Sequence, residues 1–201
     1  MLNTLILRFK THLCIGNHMH DTHRMLIIGA SGFCGNGVLS TIQFPEQLEI
    51  YAHIRPTSSG LQPTKELCMM NGHTAVICPM SELDKEIDRI QPTIVCSFIG
   101  TTKRKMRTIQ SSYNDIDFGI NEQMVAMLKE KSLAPLFIYV SSMGVEWHGW
   151  SAYLEARHLV ERTLEQSGFP YIIIRPGILS GPTRRESRFA ESIGASIFNL
   201  A

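Results

Sequence analysis

The chain reads as an α/β protein: a single domain built on a doubly wound parallel sheet, with helices packed in layers on either side. Two features predict this. From Met25 onward short apolar runs alternate with stretches of helical period, and the runs are apolar end to end instead of at every second residue. Strand–helix alternation implies a parallel sheet, and continuous apolarity implies that both sheet faces are covered. A third feature, a glycine-rich turn directly after the first run, says where a ligand would sit.

The elements follow in order. MLIIGA (25–30) is the first strand, and GNGVLSTIQF (35–44) reads as a helix after the turn. LEIYAHI (48–54) and TAVICP (74–79) are the second and third strands. SELDKEIDRI (81–90) begins with a serine placed to cap a short helix. TIVCSFIG (93–100) is the fourth strand. In DIDFGINEQMVAMLKEK (115–131), Ile120, Met124, Met127 and Leu128 recur at helical spacing. LFIYVSS (136–142) is the fifth strand, SAYLEARHLVERTLEQSG (151–168) a helix stopped by Gly168, and YIIIRPGIL (171–179) the sixth strand. No repeat or linker divides the chain.

Composition bounds the partners. At 201 residues the chain can bury one respectable core. A formal net charge of +1 offers no field to steer nucleic acid or an anionic membrane, so neither is expected as a partner. No run approaches the ~20 apolar residues of a membrane span. Five cysteines (14, 34, 68, 78, 96) are scattered and odd in number, which argues against a disulfide framework and for a reducing compartment. The cytoplasm is the expected location. Residues 1–24 read as an extension outside the domain, either a disordered tail or an upstream start, since Met19 and Met25 lie near the domain edge. Its basic, acid-poor opening faintly resembles a mitochondrial presequence, which keeps the mitochondrion as an alternative. His18, His20 and His23 are spaced like metal ligands, but nothing nearby would rigidify them, and no metal is expected.

The cofactor signal is GASGFCG. Gly29, Gly32 and Gly35 stand three apart between a strand and a helix. Glycines there let backbone N–H groups and the positive helix end lie against a pyrophosphate, and Ser31 could add a hydroxyl. At the end of the second strand an NAD site usually carries an acid for the ribose hydroxyls. This chain has Arg55, whose forked guanidinium suits a 2′-phosphate, so NADP(H) is preferred and NAD(H) remains the alternative. FIGTTKRKMR follows the fourth strand, with Gly100 allowing close backbone approach. Lys103, Arg104, Lys105 and Arg107 stand in that loop, either facing an anionic substrate or merely solvated.

The chemical signal is VSSMG followed by SAYLEARHLVE. Tyr153 lies eleven residues after Ser142, and Arg157 lies four after Tyr153, on the same helical face. A hydroxyl to hold a carbonyl oxygen, a phenol to pass a proton and a cation to lower the phenol pKa from ~10 would together perform acid–base work beside a nicotinamide.

Taken together, GASGFCG, FIGTTKRK, Asp117 with Asn121, VSSMG, YLEAR and IIIRPGILSG resemble the atypical short-chain dehydrogenases/reductases, and most of all their small, single-domain NAD(P)H-binding group. The likeness runs from about Met25 to about Glu191. It implies a Rossmann-like domain over 25–201. It places Gly29, Ser31, Gly32, Phe33, Cys34 and Gly35 at the phosphate turn, Arg55 at the adenosine phosphate, and Gly100 with Thr101 beside the dinucleotide. Ser142 and Tyr153 fall on catalytic positions, and Arg157 falls where the family pattern Tyr-x-x-x-Lys has lysine. The chain stops at IFNLA, where relatives generally carry a further strand and helix, so a C-terminally short domain is expected. Two functions follow from the resemblance: an NADP(H)-dependent oxidoreductase acting on a small carbonyl or alcohol, or an NADP(H)-binding regulator or scaffold that docks a protein partner without chemistry.

Overall fold

Alternate residues of each central strand go to opposite faces of the sheet, and both sets are buried. In β2 (His23–Ile28), Leu26 and Ile28 face one core while Met25 and Ile27 face the other. A computed structural model describes residues 6–10, 22–42, 47–101 and 110–177. His18, His20 and the basic loop residues 103, 104, 105 and 107 lie outside these, as does the segment after residue 177.

The sheet has seven strands in the order β1-β7-β6-β5-β2-β3-β4. The six parallel strands are β2, β3 (Leu48–Ile54), β4 (Thr74–Ile77), β5 (Ile94–Ser97), β6 (Leu136–Val140) and β7 (Tyr171–Arg175). They match the six read from the sequence. The seventh, β1 (Ile6–Lys10), pairs antiparallel with β7, Leu7 opposite Ile174. It comes from the stretch expected to lie outside the domain. The reading missed it because ILRFK carries two bases and has no turn signal beside it.

Helices cover both faces. The first core packs Leu26, Val95, Phe137, Tyr139 and Ile173 against α3 (Leu83–Ile90), α4 (Gly119–Glu130) and α5 (Ala152–Glu165). The second packs Ile27, Ile50, Ala52 and Cys96 against α1 (Phe33–Thr41) and α2 (Leu61–Met70). α2 was not read from the sequence, because Pro63 and a weak apolar stripe disguise it. Ser81 does not cap α3. It lies inside a 3-10 turn, Met80–Glu82, and the cap position falls to Glu82. Ser151 does cap α5, its side chain accepting from the Leu154 N–H at 3.2 Å. Burial pushes the thiols of Cys68, Cys78 and Cys96 up, Cys96 to about 12, so these cysteines act as core apolar groups.

The start of α1 is pressed tightly onto the end of β2. A Cβ built on Gly35 would stand 2.5 Å from the Gly29 carbonyl oxygen and 2.7 Å from the Ala30 backbone. Two residues on, Gly37 is exposed and meets nothing within 4 Å. These neighbours should respond to alanine with opposite signs. Gly35→Ala is expected to destabilise by ~1–3 kcal/mol through overpacking, while Gly37→Ala should stabilise by roughly 0.5–1 kcal/mol through helix propensity. Urea midpoints of the two variants check this; a Gly35→Ala midpoint at or above that of the native chain contradicts the tight contact.

Candidate functional site

The ends of β2, β3 and β5 open onto one cleft at the carboxyl edge of the sheet, where order reverses between β2 and β5. Its floor is made by close backbone approach. Gly29 has φ +77°, and a Cβ there would stand 2.7 Å from the Phe98 carbonyl carbon. Only glycine satisfies both conditions. The chain then turns at Gly32, whose N–H donates to Gly29 O at 3.0 Å, and enters α1. No side chain caps α1 and its first turn has no acid. The positive end of its dipole therefore faces the turn with no side-chain charge or cap against it. Asn36 holds the turn in shape, its Nδ2 donating to Ala30 O at 2.7 Å and to the Thr64 hydroxyl at 3.0 Å.

Gly29, Ser31, Gly32, Arg55 and Gly100 all line this cleft, as the sequence led one to expect. Arg55 is exposed just beyond β3 and has no carboxylate partner among the described residues. Ser58 shares a 2.8 Å hydrogen bond with Ser31, and its Oγ accepts from the Gly60 N–H at 3.2 Å, which fixes the loop carrying Arg55 against the glycine turn. Phe33, Cys34, Gly35 and Thr101 are not in the lining. Gly35 works beneath the turn, and the Thr101 N–H points away to Asp117 at 2.9 Å. Sequence reasoning passed over His53, Ser58, Ser59, Met80, Phe98, Ile116 and Ile120, which complete the walls. They come from four separate segments and carry no motif.

On the other side of the switch point lies a buried polar network. Arg157 is 5% exposed and Asp117 is fully buried, and their side chains pair at 2.9 Å. The guanidinium also donates to Ile99 O (3.1 Å), the Tyr139 hydroxyl (3.0 Å) and Val140 O (3.0 Å). Burial opposes its charge, but Tyr139, Tyr153 and Asp117 outweigh burial and hold the pKa well above the usual arginine value. Burial also pushes the Tyr139 phenol up. Asp117 sits in a π-helical turn, Asn114–Phe118, that runs into α4. Asn121 closes the junction, donating to Asp117 O at 2.7 Å and accepting from the Ser97 hydroxyl. Single π turns of this kind concentrate at functional sites.

The structure brings Tyr153 and Arg157 together as their spacing implied. The guanidinium carbon lies 5.2 Å from the centre of the Tyr153 ring, and the Tyr113 ring packs edge-on against it at 5.3 Å. Tyr153 thus contacts both a cation and an aromatic ring, with its own ring half-buried. Ser142 is buried and its hydroxyl donates to Met143 O at 3.0 Å. The adjacent Ser141 hydroxyl is buried with no hydrogen-bond partner among the described residues. In VSSMG two serines stand side by side, so the sequence could not tell which one keeps an open hydroxyl. A second buried pair, Arg175 with Glu161 (2.9 Å through Nε), reaches Glu146 at 3.6 Å and ties the turn before α5 to β7.

Removing one partner of the Asp117–Arg157 pair leaves a buried charge uncompensated. Asp117→Ala is expected to cost ~3–5 kcal/mol. Combining it with Arg157→Met should recover much of that loss, because the orphaned charge goes too. A double-mutant cycle in urea measures the coupling, and additive losses would mean that the two groups do not interact as the geometry requires.

Comparison with known proteins places this arrangement. A family profile described as NAD(P)H-binding matches residues 29–195. Among curated relatives, "Protein FMP52, mitochondrial" of Saccharomyces cerevisiae is 26% identical over 176 residues, covering 86% of this chain and 73% of the relative. "Protein fmp52, mitochondrial" of Aspergillus fumigatus is 26% identical over 181 residues, covering 87% and 74%. These names overturn the cytoplasmic expectation and point to mitochondria instead; composition and cysteine usage alone do not separate two reducing compartments. Among solved structures, UDP-glucuronic acid 4-epimerase from Bacillus cereus in complex with NAD superposes with a TM-score of 0.62 at 16% identity, over 81% of this chain and 58% of that one. The UDP-Glc/GlcNAc 4-epimerase from Campylobacter jejuni gives 0.59 at 12%, over 72% and 49%. The chain spans about half the length of these structures, and the likeness is one of fold. With the profile covering most of the chain and the glycine turn at its head, the protein belongs to the NAD(P)H-binding family that this profile describes.

Proposed function

We propose that the chain is an NADP(H)-dependent oxidoreductase acting on a small carbonyl or alcohol, and that it works in mitochondria, the compartment in the names of its fungal relatives. The observation that carries this reading is a cleft lined by the glycine turn, Arg55 and Gly100, with Gly100 packed against the Arg157 guanidinium that lies over the Tyr153 ring. The cradle fits a dinucleotide: Gly29, Ser31 and Gly32 line the cleft, no side chain caps the start of α1, and Arg55 is unpaired by any carboxylate among the described residues. Bound there, the nicotinamide would supply the hydride.

The protein's own groups supply the rest. Gly29, Ser31 and Gly32 would hold the pyrophosphate, and Arg55 the 2′-phosphate. Gly100 lines the cleft and leaves to the Arg157 guanidinium the space that a side chain there would need. Tyr153 would pass the proton, and a serine hydroxyl, Ser142 or the uncommitted Ser141, would hold the substrate oxygen. Arg157 acts from behind the phenol ring. Its hydrogen bonds go to protein acceptors, so it would contribute charge and position where lysine in the family pattern has a mobile ammonium.

One observation favours the alternative, a dinucleotide-binding regulator that docks a protein partner without turnover. The Ser142 hydroxyl and the Arg157 guanidinium are both taken up by the protein itself.

Two measurements test the proposal. Arg55→Ala should weaken NADPH binding far more than NADH binding, by the ~1.5–3 kcal/mol of one charge-assisted contact; equal losses in a titration of both cofactors remove Arg55 as the phosphate reader. Tyr153→Phe should lower turnover on a carbonyl panel by about 10²-fold or more while cofactor affinity changes little. A native chain that binds NADPH yet turns over nothing on that panel supports the regulator, and a fully active Tyr153→Phe variant ends the catalytic assignment.

A further inference from the structure

We propose that His53 reads the purine base of the bound dinucleotide, presenting a hydrogen-bond acceptor to an exocyclic amino group at the β3–β4 end of the cleft. This rests on the reading of the cleft as a dinucleotide site.

The position follows from topology. With the pyrophosphate on the glycine turn of β2 and the reacting end toward Tyr153 on α5, a dinucleotide must extend its other half over the ends of β3 and β4. The cleft offers apolar side chains suited to the faces of a planar base, Met80 from the loop after β4 and Ile116 and Ile120 from the π turn and α4. Among them stands one buried polar ring, His53, only 4% exposed. It is inside the cleft lining, not behind it.

The chemistry follows from its partner. His53 Nε2 lies 3.0 Å from the carbonyl oxygen of Cys78, which can only accept, so Nε2 carries the proton. Burial disfavours a charged ring, and Arg55 nearby pushes the same way, so His53 stays neutral below the usual histidine range. In a neutral ring with Nε2 protonated, Nδ1 is an acceptor, and it has no hydrogen-bond partner among the described residues. An acceptor is the wrong group for a phosphate, which offers only lone pairs. It suits an N–H donor. The division of labour is then plain: Arg55 takes the anion, and His53 takes the amino group of the base. The β4 end supports this, because the same Cys78 carbonyl that orients His53 leads directly into Pro79 and Met80, so the acceptor and the apolar shelf are fixed to one loop.

The test uses NADPH and its hypoxanthine analogue, which puts a 6-oxo acceptor where adenine has its 6-amino donor and adds a proton at N1. Binding of both is titrated to the native chain, to His53→Gln and to His53→Leu. The native chain is expected to prefer NADPH by roughly tenfold, the scale of one neutral hydrogen bond against an acceptor–acceptor clash. Glutamine can still donate to Cys78 O while its carbonyl oxygen accepts, so His53→Gln keeps the preference; His53→Leu brings the two ligands to near parity. Should His53→Leu fail to fold, ¹⁵N spectra of the native chain decide the matter, with the His53 Nδ1 resonance moving on addition of NADPH and not of the analogue. Parity in the native chain, a preference that survives in His53→Leu, or an unmoved Nδ1 resonance overturns the proposal. Native chain that binds neither dinucleotide instead overturns the cofactor reading on which it rests.

Discussion

The buried pair of Asp117 and Arg157 sits where four elements meet, and the geometry of the candidate chemical site depends on it. Its guanidinium touches the ends of β5 and β6, the π turn before α4, and the ring of Tyr153 on its own helix. A buried ion pair is weak evidence for stability in itself, since desolvation offsets much of the attraction. What this one provides is register. Its acceptors lie on three segments, the chain after β5, the strand β6 and the π turn, so none of these could shift without leaving a buried donor or acceptor unmet. Gly100 belongs to the same unit, because the guanidinium packs into the space that a side chain there would need.

The glycine turn obeys a similar constraint with backbone in place of charge. Gly29 is in contact with Phe98 and Ile99, and Gly35 with Gly29 and Ala30, so the turn, the end of β5 and the start of α1 form a single close-packed unit. Ile99 is shared with the polar network, since its carbonyl accepts from Arg157. The dinucleotide cradle and the tyrosine clamp are therefore mechanically adjacent: the segment Phe98–Thr101 forms the wall of one and the floor of the other. The Ile99 carbonyl of that shared segment is one of the acceptors that the broad planar head of Arg157 takes up.

Much of this was legible beforehand, for reasons that can be named. The six parallel strands were readable because a strand buried on both faces must be apolar throughout, and the turn because close approach of backbone to backbone leaves only glycine. Arg55 was readable because its place at a strand end is counted from the turn. α2 and β1 were not, since neither has an apolar period strong enough to stand out from loop composition. The π turn at Asn114–Phe118 was read as plain helix, because one extra residue in a turn leaves no compositional trace.

The sequence by itself determined the fold class, the cofactor edge of the sheet and the pairing of Tyr153 with Arg157, because each depends on spacing along one chain segment. Only the tertiary structure decided what those groups face. Helical spacing puts Arg157 beside Tyr153, but whether its charge reaches a ligand or is taken by the protein depends on Asp117, forty residues away, and on carbonyls of two other strands. Likewise Ser142 and Ser141 are equivalent in sequence and differ in the fold, one bonded to Met143 and one left open. His53 looked like any strand histidine until the Cys78 carbonyl oriented its ring in the wall of the cleft. Local periodicity is encoded over a few residues, whereas the partner of a buried polar group is chosen by contacts between segments distant in the chain, and no short-range pattern carries that information.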